Sequence, residues 1–207
     1  MKKMLVFCFF FIVGYSAMTQ SASPTPAVQA TQSVTPREIC DAALGFLNQL
    51  SSGAQFSKVI GTIAYKSNSY GMEYREYNSL QNFPGAKKTT IVDTSGLSHY
   101  RSAKALMYTE TVSSNKLTKD AAKYFDIISE MLKNCLVPQK FEEDYSPQLV
   151  KLHELKMAFR YKMPSKDAGP FSNMQMGNTL VLEVYIDQTK NMDGTFTNEV
   201  YLHFKRV

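Results

Sequence analysis

A chain of 207 residues, 44% hydrophobic and 20% charged, is long and apolar enough to bury the core of one domain, which excludes a disordered polar chain. Its formal net charge of +5 is dispersed: outside Lys2-Lys3, the only adjacent basic pairs are Lys87-Lys88 and Lys205-Arg206. No concentrated basic stripe is present, so nucleic acid is not an expected partner.

Residues 1–20 read as a signal peptide. Lys2 and Lys3 precede an apolar run from Met4 to Val13, and small residues follow. The run is shorter than the roughly 20 residues of a membrane-spanning helix. A membrane contact is expected only through this segment, if it stays uncleaved. Cleavage after Ser16 fits, and sites as far as Ala22 remain open. Loss of the two lysines would leave a mildly basic mature chain. Residues 21–35 are rich in Ser, Thr, Pro, Gln and Ala without charge, and read as a flexible linker. The remaining residues, 36–207, suit a single globular domain.

The first helix opens at Thr35-Pro36-Arg37-Glu38, where Thr35 caps and Glu38 reaches back. Cys40, Ala43, Leu44, Leu47 and Leu50 form its apolar stripe, and Gly53 ends it. Residues 56–67 and 72–80 read as a strand pair, with tyrosines at 65, 70, 74 and 77. Residues 88–93 and 97–111 form a second hairpin across Thr94-Ser95-Gly96. In its longer strand, Tyr100, Ser102, Lys104, Leu106 and Tyr108 should share one face.

The central helix is the clearest element, over residues 118–136. Ala121, Phe125, Ile128, Leu132 and Cys135 recur at spacings of four and three, Thr118 caps, and Pro138 stops it. Residues 139–150 read as acidic and irregular. A strand follows in which Leu155, Met157, Phe159, Tyr161 and Met163 alternate with a basic, solvated face of Lys156, Ala158, Arg160 and Lys162. After a long loop over residues 164–178, strands at 179–187 and 195–207 close the chain. Leu180, Leu182, Val184 and Ile186 point inward, as do Val200, Leu202 and Phe204.

The expected fold is therefore α+β, a mainly antiparallel sheet of six or seven strands with two helices on one face, in the order α-β-β-β-β-α-β-β-β. Of the three cysteines, Cys8 leaves with the signal segment. Cys40 and Cys135 both lie on apolar helix stripes, and export would take them to an oxidising compartment. They are expected to form a disulfide closing a loop of roughly 95 residues, which loop entropy values at about 4 kcal/mol. Two buried free thiols are the alternative.

No catalytic or metal signature survives inspection. Thr189, Asn191, Asp193 and Gly194 imitate the start of a calcium loop, but the twelfth position is Val200, and Asp193-Gly194 reads better as hairpin chemistry. His99, His153 and His203 have no ligand spacing and read as unrelated surface residues. Glu142, Glu143 and Asp144 read as a solvated acidic loop. No G-x-S-x-G, P-loop, G-x-G-x-x-G or H-E-x-x-H pattern occurs. No metal or cofactor is expected, and the folded part has no N-glycosylation acceptor.

The sequence thus favours a non-catalytic secreted or periplasmic binding protein of the bacterial cell envelope, with a protein or another envelope component as partner. Tyr74, Tyr77, Arg101, Arg160 and Lys162 are the candidate binding residues, because exposed aromatic and arginine side chains dominate interface energies. The alternative is a carrier of a small apolar ligand, suggested by Met157, Met163, Met174 and Met176. A small hydrolase ranks third.

Overall fold

A computed structural model describes residues 34–51, 56–69, 72–95, 100–144, 155–162 and 179–207. The expected signal segment, the linker up to residue 33, the helix end at Gly53 and the loop over residues 164–178 lie outside the described residues. So do His99 and His153.

Two helices and one eight-stranded antiparallel sheet make up the fold. Helix α1 spans Pro36–Ser51 and is followed by strands β1 (Ile60–Ser69), β2 (Met72–Ser79), β3 (Lys88–Ser95) and β4 (Tyr100–Val112). Helix α2 spans Lys119–Leu136, and strands β5 (Glu142–Asp144), β6 (Leu155–Lys162), β7 (Thr179–Lys190) and β8 (Phe196–Arg206) complete the chain. The sheet order is β1-β2-β3-β4-β8-β7-β6-β5. One strand more is present than the sequence announced. It is β5, inside the stretch expected to be irregular, and it pairs with β6 through Glu142↔Arg160 and Asp144↔Ala158. The architecture is thus a helix and a four-strand meander, twice over, with the last strands of the two halves side by side.

Both helix starts follow from their caps. The Thr35 backbone N–H and hydroxyl donate to the Glu38 carboxylate, and the Glu38 N–H donates back to the Thr35 hydroxyl oxygen. The Thr118 hydroxyl oxygen accepts from the Ala121 N–H.

The helices cover one face of the sheet. Ile39, Ala43, Phe46, Leu47 and Leu50 of α1 and Ala121, Phe125, Ile128, Leu132 and Leu136 of α2 are buried against Leu180, Leu182, Val184, Ile186, Val200, Leu202 and Phe204. Phe46 meets the rings of Phe56, Phe83 and Phe204 at 5.0–5.7 Å, which fastens α1 to the sheet and to the turns flanking β1 and β2. The disulfide is formed as expected: Cys40 on α1 and Cys135 on α2 are bonded, with Cα atoms 5.7 Å apart. Among the described residues, no helix is long and apolar enough to cross a membrane.

One face assignment changes. An irregularity between Leu106 and Tyr108 shifts the register of β4 against β8, so that Leu106 opposes Tyr201 but Tyr108 opposes Val200. Tyr108 therefore lies on the helix side, stacked on Tyr124 of α2 at 5.2 Å, and not beside Lys104 and Leu106.

Candidate functional site

The face of the sheet away from the helices holds the chemistry. Two cross-strand rows define its middle. In one, Thr90 of β3, Lys104 of β4, His203 of β8, Glu183 of β7 and Ala158 of β6 stand side by side. In the next, Lys88, Leu106, Tyr201, Tyr185 and Lys156 occupy the same five strands. Register alone collects here residues that lie up to 115 positions apart.

Glu183 is the centre of this face, with its side chain only 6% exposed. Its Oε1 accepts from both Lys156 and Lys205, each ammonium nitrogen at 2.8 Å, and Nδ1 of His203 lies 3.6 Å from Oε2. Burial by itself would raise the carboxyl pKa. The His203, Lys156 and Lys205 contacts outweigh it and hold Glu183 ionised, well below the usual carboxylate range. His203 moves the other way: burial lowers its pKa, and the Lys104 and Lys205 charges add to that, against the pull of Glu183. With its pKa lowered from 6.5 the imidazole is neutral at pH 7, and its buried Nε2 has no hydrogen-bond partner among the described residues.

Tyrosines surround this group. Tyr185 and Tyr201 stack at 5.4 Å, and the Tyr185 ring meets His203 edge-on at 6.5 Å. The Tyr201 hydroxyl donates to Glu199. Burial raises the pKa of both phenols, as do the charges of Asp187 and Glu199 beside them. Tyr74 on β2 shares this face, with β3, β4 and β8 between its strand and that of Tyr185. Tyr74 meets Tyr65 edge-on at 6.0 Å; Tyr65 is exposed, as is Met72 on the same strand pair.

The five candidate residues divide between the two faces. Tyr74, Arg160 and Lys162 stand on the far face; Arg160 is paired with Asp144 at 2.9 Å and Lys162 is exposed. Tyr77 opposes Ile91 and packs against the core, and Arg101 is paired with Asp93 at 3.2 Å, both on the helix side. Glu183 and Lys156 are not among the five candidates. Lys156, expected to be solvated, is 10% exposed, and Ala158 beside it is buried. His203, expected at the surface, is also largely enclosed. A glutamate flanked by Leu182 and Val184 in an inward-alternating strand was the available signal.

No catalytic set emerges among the described residues. The Glu183–His203 pair has no serine, threonine or cysteine in its cross-strand row within reach of an activated nucleophile except Thr90, two strands away. No group of three metal-ligating side chains converges among the described residues. At the β7–β8 turn, Asp193 accepts from the Thr195 N–H and hydroxyl, and the Gly194 N–H donates to the Asn191 carbonyl, which is the turn chemistry expected of Asp193-Gly194. Comparison with protein-family models, with characterised proteins and with solved structures yields no match.

Proposed function

We propose that this chain is a non-catalytic binding protein of the cell envelope and that it binds through the far face of its sheet. The observation that carries this reading is the face itself: a tyrosine-lined surface whose central carboxylate, Glu183, is engaged by two lysines and is not poised for proton transfer. Glu183 is locked in the ionised state by two lysines, which disfavours a general-acid role. Export to an oxidising compartment is part of the proposal, and the Cys40–Cys135 bond supports it, since such bonds persist mainly outside the reducing cytosol. Met157, the described member of the methionine set, is half-buried at the core, where it packs as an ordinary core side chain and gives the apolar-carrier alternative no separate support.

The test is recovery of envelope components on immobilised protein, with far-face variants compared against a helix-side control. Tyr74→Ala and Lys162→Ala are expected to reduce recovery of a specific component, while Arg101→Ala leaves it unchanged. Equal recovery by all variants would place binding elsewhere or nowhere.

A further inference from the structure

We propose that Lys104, Lys156, Lys205 and His203 form a binding site for an oxyanion, the phosphate-like group of an anionic ligand. The inference rests on the far face being the binding surface and names the chemistry it takes.

The argument is one of charge balance in an enclosed place. Lys156 and Lys205 share a single carboxylate oxygen, so one negative charge faces two ammonium groups. Lys104, half-buried and directly opposite His203, makes no ion pair among the described residues. Of the other acids of this face, Glu76 faces Lys88 at 3.7 Å, Asp144 holds Arg160, Glu142 stands on the edge strand β5, and Asp187 and Glu199 lie side by side beyond the tyrosine stack. Two lysines therefore hold the one glutamate and a third stands across His203 from it, a surplus of two positive charges in a partly enclosed place. Partly buried charge without a partner is costly, and a bound anion removes that cost. The Lys156 and Lys205 ammonium groups each have three donors and spend one on Glu183, and these spare donors, with those of Lys104, are left for ligand oxygens.

His203 gives the site a signature. Its ring faces Glu183 and Tyr185 of β7, Lys104 of β4, and Tyr201 and Lys205 of its own strand, with Lys156 of β6 beyond Glu183. Protonation would make His203 a fourth cation beside one carboxylate. An anion in the site favours that proton, so binding tightens as pH falls.

Sulfate is the probe, because its charge is constant across this pH range. Calorimetric titration of the disulfide-bonded protein is expected to show one saturable site, tighter at pH 6 than at pH 7.5. Lys104→Met should weaken it about tenfold, the order expected for losing one charge at the protein surface. Lys104→Arg should keep it, and His203→Gln should abolish the pH dependence. Thermal unfolding without sulfate confirms that each variant is folded. Pelleting with phosphatidylglycerol vesicles, against phosphatidylcholine vesicles, separates the sources: sulfate-competed pelleting assigns a lipid headgroup, and sulfate binding without pelleting assigns a soluble anion. Absence of saturable binding, or binding indifferent to Lys104→Met, overturns the site. Recovery of an envelope component that depends on Tyr74 but not on Lys104 would overturn the anion site and leave the binding reading standing.

Discussion

Glu183 is where a single atom change should have the largest effect. Replacing it by glutamine keeps the shape but leaves Lys156 and Lys205 facing each other without a counter-charge. Breaking a buried pair by removing one partner costs several kcal/mol, and the partial exposure of Lys205 trims that here. Glu183→Gln is expected to lose about 3 kcal/mol in urea unfolding, and sulfate should restore part of it. His203 predicts the acid limb of the stability curve. Its folded pKa is lowered from the ordinary 6.5, so on acidification the unfolded chain takes up the proton first. Stability should fall with pH from about 6.5 downward, and His203→Gln should flatten that limb. The Glu183 contribution is separate: its pKa is lowered from 4.5, so its stabilisation is present above that value and is lost only below it. An acid limb that His203→Gln leaves unchanged would mean another group governs it. None of this was legible in the chain, because a lone glutamate, a lone histidine and scattered lysines acquire meaning only when the strand register sets them in adjoining rows.

At the scale of elements, the sequence spoke clearly wherever periodicity is local. The stripe of α2, both caps and the alternation in β6, β7 and β8 follow from neighbours within four residues, whereas the buried face of α1 is turned from the expected one, with Ile39 and Phe46 inside and Cys40 and Leu44 only half-buried. β5 was silent, since Glu142-Glu143-Asp144 has no apolar alternation; pairing with β6 and the Arg160–Asp144 contact hold it at the sheet edge. The face of Tyr108 departs from simple alternation because a register shift leaves no mark in composition. That shift has a consequence at the start of α2. It carries Glu110 to the helix side, where its carboxylate accepts from the hydroxyls of Thr118 and Tyr108 and from the Asn198 amide. Burial would raise the Glu110 pKa, but these three donors hold it lowered. The capping hydroxyl of Thr118 thus serves the helix and fastens it to the sheet. Thr118→Ala should cost about 2 kcal/mol, more than the roughly 1 kcal/mol of a simple cap, because it also strips a half-buried carboxylate of a donor. A loss within about 0.5 kcal/mol, read from the urea midpoint, would show that the Glu110 contact contributes nothing.

For the whole molecule, the decisive feature is the seam between its two helix-plus-meander halves. β4 and β8 are paired from Ala103↔Phe204 to Val112↔Phe196, so the halves meet along a full ladder in the middle of one sheet. Their helices share one core: Phe46 of the first half packs on Phe204 of the second, and Cys40 is bonded to Cys135 across 95 positions. Neither half can expose its seam without opening the hydrophobic layer of the other, so the domain should unfold as one unit. The disulfide then acts mainly on the unfolded chain, shortening its reach, while the folded packing is maintained by the apolar stripes. The double variant Cys40→Ala, Cys135→Ala should accordingly fold, lose about 4 kcal/mol and remain two-state. Near-ultraviolet signals of the tyrosines, which lie in both halves, should disappear at the same urea concentration as the backbone signal. Two separated transitions in that variant would mean that the disulfide, and not the β4–β8 seam, makes the halves one domain.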